Sequence, residues 1–139
     1  MKILLAVDGS KFSDAAVSTL ISQLRPQDVE ILVVTIVEAR GPEFGATPKD
    51  HFTRAQNSAN QAAQTLRAAG FKVDVRVLEE EARVGILDVA AEWRSDLIVL
   101  GSHGHSGLRR FLLGSVTEFV VRHAHCSVLI VRIPEKSGT

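Results

Sequence analysis

The stretch Gly101-Ser102-His103-Gly104-His105-Ser106-Gly107 is the most unusual in the chain. Gly101, Gly104 and Gly107 recur at three-residue spacing, which lets a backbone turn sharply and approach a ligand with no Cβ in the way. A second glycine-serine pair, Gly114-Ser115, is placed to open a helix. The unpaired N–H groups and partial positive charge of a helix N-terminus suit a phosphate. Asp8 closes the first apolar run, ahead of Gly9-Ser10. There it would accept hydrogen bonds from ribose hydroxyls or hold a magnesium ion through water. Arg109 and Arg110 fall in the same loop region. Two readings stand for them: a guanidinium, that of Arg110, closing over a phosphate chain, or a solvated basic surface. The plain alternative for the whole set is that the glycines only shape turns and Asp8 only caps a helix. Neither standard nucleotide motif is present: there is no G-x-x-x-x-G-K-[ST] and no G-x-G-x-x-G after the first apolar run.

Ser102, His103, His105 and Ser106 invite a hydrolase reading. A serine nucleophile needs a base oriented by a third group and an oxyanion hole. Adjacent residues rarely aim at each other, and no G-x-S-x-G elbow occurs. His103-x-His105 and His123-x-His125-Cys126 invite zinc. A helix of ~10 residues between the pairs separates them by about 15 Å, too far for one tetrahedral ion. The second pair reads as a complement to the negative end of that helix. Trp93 reads as core and Cys126 as a small buried hydrophobe.

Composition narrows the classes further. The chain has 139 residues, 45% of them hydrophobic and 23% charged, the balance of one globular domain over 1–139 rather than a disordered chain. Lys plus Arg equal Asp plus Glu at 16 each, so the basic excess of a nucleic-acid binder is missing. One cysteine excludes an internal disulfide and points to a reducing compartment, the cytoplasm. No apolar run approaches ~20 residues, so no membrane span is expected. The opening Met1-Lys2-Ile3-Leu4-Leu5-Ala6-Val7-Asp8 is too soon acidic for a signal peptide.

The elements that must position these residues follow from periodicity. Residues 2–7 are a short buried strand, and Ser10 or Ser13 then caps a helix to Leu24 with Ala16, Leu20 and Leu24 on one face. Val29–Val37 is a continuous β-branched run, as in strands covered on both faces. A loop rich in Gly and Pro occupies 38–50, then a helix over 50–69 stops at Gly70. Phe71–Leu78 alternates like an edge strand. A helix over 83–93 carries an apolar stripe of Val84, Leu87, Ala90 and Ala91; the strand 97–100, a helix from Gly114-Ser115 to about His123 and a strand 127–133 complete the order. The alternation β-α-β-α-β-α-β-α-β makes a five-stranded parallel sheet with helices on both faces, and if the winding reverses after the third strand it is doubly wound in order 3-2-1-4-5. Its ligand site lies beyond the carboxyl ends of the first and fourth strands, where Asp8 would meet the Gly101 loop. The last strand, Val128-Leu129-Ile130-Val131, would be an apolar edge suited to pairing with a second copy.

The spacing Gly101-x-x-Gly104, nine residues, then Gly114-Ser115 resembles the nucleotide-binding signature of the universal stress protein family. Asp96-Leu-Ile-Val-Leu-Gly-Ser-His-Gly, Leu112-Leu-Gly-Ser-Val-Thr-Glu, Cys126-Ser-Val-Leu-Ile-Val and the opening Ile3-Leu-Leu-Ala-Val-Asp-Gly-Ser extend the resemblance over nearly the whole chain. It implies a Rossmann-like domain of the adenine nucleotide alpha-hydrolase-like kind that binds ATP with Mg2+ and dimerises as a stress-response sensor or regulator. The alternative is a protein-interaction dimer with a vestigial pocket. By the resemblance, Ala6, Val7 and Asp8 touch the nucleoside and Ile36 the adenine, while Leu100, Gly101, His103, Gly104, Gly107, Gly114, Ser115 and Val116 hold ribose and phosphates. The same likeness points to the last strand as the dimer edge. No dedicated general base is visible, so an enzyme is not expected, slow hydrolysis of bound ATP apart. The family's usual Gly-x-Pro before the third helix is Glu80-Glu81-Ala82 here.

Overall fold

In a computed structural model, which describes residues 1–38, 48–103 and 113–133, five strands form one sheet. They are β1 (Lys2–Ala6), β2 (Glu30–Val37), β3 (Lys72–Glu79), β4 (Leu97–Gly101) and β5 (Ser127–Val131). All neighbours pair parallel, in the order β3-β2-β1-β4-β5. Between them lie α1 (Lys11–Gln23), α2 (Pro48–Ala68), α3 (Ala82–Trp93) and α4 (Ser115–His123). The doubly wound fold expected from the sequence is therefore the observed one. A 3-10 turn at Pro26–Asp28, which periodicity does not announce, follows α1.

The continuous apolar runs of β1 and β2 are explained by burial on both faces. Ile3, Leu5, Ile31 and Val33 point toward α1 and α2, into a core with Ala16, Leu20, Ala59, Ala63 and Leu66. Leu4, Leu32, Val34 and Ile98 point the other way, against Ile86, Val89, Ala90 and Val120 of α3 and α4. Each fully buried Leu or Ile contributes about 1.5–3 kcal/mol. Among the described residues β3 pairs only with β2, and its exposed Lys72, Asp74 and Glu79 fit its place at the edge.

Two local details position the site. Ser10, not Ser13, is the cap of α1: its hydroxyl accepts from the Ser13 N–H at 3.3 Å. The apolar stripe of α3 is rotated from its expected phase. Gly85, Ile86, Val89 and Ala90 are buried, while Val84 and Ala91 are exposed and Leu87 is half-buried. Gly85 is the reason: a Cβ there would lie 3.0 Å from Ile36 Cδ1. The helix rests its glycine on β2, a contact that apolar periodicity does not register. No helix among the described residues is long and apolar enough to cross a membrane.

Candidate functional site

β1 and β4 are neighbours whose chains leave the sheet toward opposite faces, and a cleft of about 170 Å³ opens at their carboxyl ends. The end of β1 brings Ala6, Val7 and Asp8 to it. The Asp8 carboxylate accepts the Ser10 N–H at 2.9 Å, which folds the turn back toward the sheet. Gly9, with φ +81°, supplies the left-handed residue that this turn needs.

From β4 come Leu100, Gly101 and His103. A Cβ on Gly101 would stand 2.7 Å from Phe12 Cβ and 2.8 Å from the Phe12 carbonyl carbon and oxygen, so α1 runs directly against this backbone. The His103 ring lies 5.1 Å, centroid to centroid, from that of Phe12. The Ser102 N–H donates to the Val131 carbonyl, and the Ser102 carbonyl accepts the Gly114 N–H, both at 2.9 Å. This second bond carries the strand end to the start of α4, which contributes Gly114, Ser115, Val116 and Thr117. Gly114 is the cap of α4 and brings no side-chain hydrogen bond to its first turn. The helix thus presents first-turn N–H groups at the cleft, the arrangement that binds phosphate oxygens.

The opposite wall is apolar, made by Val34 and Ile36 of β2 and Ala82 and Ile86 of α3, and it suits a flat base. Its geometry depends on the segment where Glu80-Glu81-Ala82 stands. α3 has no side-chain cap from Glu81; instead Glu38 Oε1, from the end of β2, accepts the Ala82 N–H at 2.9 Å. A carboxylate at a helix start is favourable, and this one closes the turn with neither Gly nor Pro. Beside it, burial and then the charge and hydrogen bond of Asp88 push the Glu80 carboxyl above the usual carboxylate range.

The ten expected nucleotide residues that lie within the described chain meet in this one cleft. Gly104, Gly107 and Arg110 lie outside the described residues. Reasoning on the sequence missed Ser13, Val34, Ala82, Ile86 and Thr117. Strand alternation from Ile36 would have found Val34, and helical spacing pairs Ala82 with Ile86. The expectation that neighbouring Ser and His do not meet fails here: Ser102 Oγ lies 2.9 Å from His103 Nδ1. Ser102 is only 2% exposed, however, which closes its hydroxyl to a substrate.

The model of the universal stress protein family matches residues 1–132. The chain belongs to the universal stress protein family. It is 31% identical to a universal stress protein of Methanocaldococcus jannaschii over 97% of this chain and 84% of that one. Among solved structures, a universal stress protein of Archaeoglobus fulgidus in complex with dAMP is 25% identical, with a TM-score of 0.73, covering 94% of this chain and 97% of the other. A member from Arabidopsis thaliana with AMP bound shares the fold at 18% identity, with a TM-score of 0.72 over 100% and 96% of the two chains.

In this universal stress protein β5 is the sheet edge, as the sequence implied. Val128, Leu129 and Ile130 are half-buried, but Val131 is 6% exposed and sits in the core with Leu5 and Val99. Its carbonyl takes the Ser102 N–H, so its backbone faces β4. The outward-facing backbone groups are therefore those of the alternate residues Val128 and Ile130. Trp93 half-packs at the opposite end of the sheet, with the Lys2 ammonium 5.0 Å from its ring centroid. Cys126 is half-buried, its Sγ 3.6 Å from Ser95 Oγ.

Proposed function

We propose that this protein binds an adenine nucleotide, ATP with magnesium, in the cleft between β1 and β4, and acts in the cytoplasm as a homodimeric sensor or regulator in stress response rather than as an enzyme. One observation carries the reading. Five separate segments converge so that an apolar slot faces an open helix N-terminus, with a single carboxylate, Asp8, between them. A base fits the slot of Ile36, Ala82 and Ile86, the ribose meets Asp8, and the phosphates meet the N–H groups at Gly114–Val116. The dAMP complex of the Archaeoglobus relative supports the adenine half of this assignment.

Magnesium fits as a passenger on the phosphates. Among the described residues no group of three or more His, Cys, Asp or Glu side chains is placed to cage a metal. Asp8 would touch the hydration shell, as is usual for a nucleotide-borne magnesium ion. Asp8, Ser115 and the α4 backbone then bind and orient.

The homodimer reading rests on β5. Among the described residues it pairs with β4 alone, and Val128, Leu129 and Ile130 are half-buried. An antiparallel partner would satisfy the outward backbone groups and cover the apolar surface symmetrically.

The test is nucleotide analysis of purified protein by mass spectrometry after heat release, followed by titration with AMP, ADP and ATP, with and without magnesium. Gly114→Val serves as the blocked control, because a branched side chain there occupies the phosphate position. Wild-type affinity in a folded Gly114→Val protein would reject the assignment.

A further inference from the structure

On the other side of the Asp8-Gly9 turn lies a larger hollow, of about 290 Å³, between α1 and α2. It backs onto the nucleotide cleft, and Val7 and Ser13 line both. We propose that this hollow is a second binding site, for a small uncharged polyol of about monosaccharide size.

The chemistry of the wall selects the ligand class. Its polar groups are Ser13, Asp14 and Ser18 from α1 and Ser58, Gln61 and Thr65 from α2. The Ser13 and Thr65 hydroxyls already donate to the Ser10 and Gln61 carbonyls and offer acceptor lone pairs, while Ser18, Ser58 and the Gln61 amide can both donate and accept, which is what sugar hydroxyls require. Asp14 is the one charged group among the described lining residues, and it accepts only. An anion entering here would meet that carboxylate and no cation, so phosphate is disfavoured. Val7, Val17 and Ala62 give an apolar floor for the C–H face of a ring. The volume is near the lower limit of small-molecule pockets, about 300 Å³, which restricts the ligand to a single ring or a short polyol.

The hollow is formed by the fold rather than by a loose contact. Gly9 brings its turn so close to α2 that a Cβ would lie 2.7 Å from Ser58 Oγ, which closes one end. Ala59 and Ala63 are fully buried on the same helix, so α2 itself is firmly seated.

Nucleotide-free, 15N-labelled protein titrated with myo-inositol and with D-glucose, each to about 50 mM, tests the site. Amide shifts should saturate with a millimolar dissociation constant and cluster at residues 14–18 and 58–65. Inorganic phosphate at the same concentrations should give no saturable shift there. The exposed pair Gln61→Leu with Thr65→Val should weaken the polyol at least about tenfold while leaving the fold intact. Linear, unsaturable shifts, saturation by phosphate instead of polyol, or an unchanged constant in the double variant would each overturn the proposal. AMP titrated into the same samples reports on the cleft separately, so the two sites fail or succeed independently.

Discussion

The Thr117 hydroxyl donates to the Gly101 carbonyl at 2.9 Å, a buried bond that ties the first turn of α4 to the end of β4. Both residues line the cleft, so this bond sets the distance between its strand wall and its helix wall. Thr117→Val keeps the shape and removes the donor. The expected cost is about 1–2 kcal/mol of stability, measured by urea denaturation, together with weaker nucleotide binding. Unchanged stability and affinity would show that the walls are held by other contacts.

Gly101→Ala should destabilise by about 1–3 kcal/mol. The new methyl group would lie 2.8 Å from the Phe12 carbonyl, and backbone cannot swing aside as a flexible side chain can. A melting temperature equal to that of the wild type would mean that α1 moves away at little cost.

Asp8→Ala should weaken adenine nucleotide binding by about 1–3 kcal/mol, the loss of one charge-assisted hydrogen bond. The Asp8 carboxylate also accepts the Ser10 N–H, so Asp8→Asn, which keeps an acceptor for the turn, separates turn from charge. Isothermal titration at fixed salt and magnesium checks both. Full affinity in Asp8→Ala rejects the contact.

Glu80 makes stability depend on pH. Its folded pKa is raised above the usual carboxylate range by desolvation, then by the charge and hydrogen bond of Asp88. The folded protein holds that proton more tightly than the unfolded chain does. The associated stability is present below the unfolded value and is lost as pH rises through the folded one. Glu80→Gln removes this loss. Its melting temperature relative to the wild type should therefore be higher at neutral pH than at pH about 4. A difference that stays constant across that range contradicts the assignment.

The β5 edge predicts a mass near twice 15.1 kDa in light scattering at micromolar concentration. The variant that discriminates is Ile130→Pro, which removes an outward N–H, rather than Val131→Pro, which would break the ladder to β4. A monomeric wild type would sink the dimer.

The order of strands and helices was legible because it is written in local periods. The apolar run at 3–7 and the β-branched run at 31–37 have no polar face, which suits strands covered on both sides. Glycine spacing located the loop at Gly101 and the helix start at Gly114, and the alternation of element types gave a parallel sheet, whose order 3-2-1-4-5 required in addition that the winding reverse after the third strand. Tertiary structure decided what distant segments do to each other. That Gly101 must be glycine comes from Phe12, and that α3 turns Gly85 rather than Val84 inward comes from Ile36. Glu38 caps a helix 44 residues further on. Val131 belongs to the core because its side chain lies on the sheet face covered by α1, packed in one cluster with Leu5, Val17 and Val99. A repeat of two or 3.6 residues reports which face of an element is apolar, but the identity of the atoms met across a sheet is set only when separate segments pack.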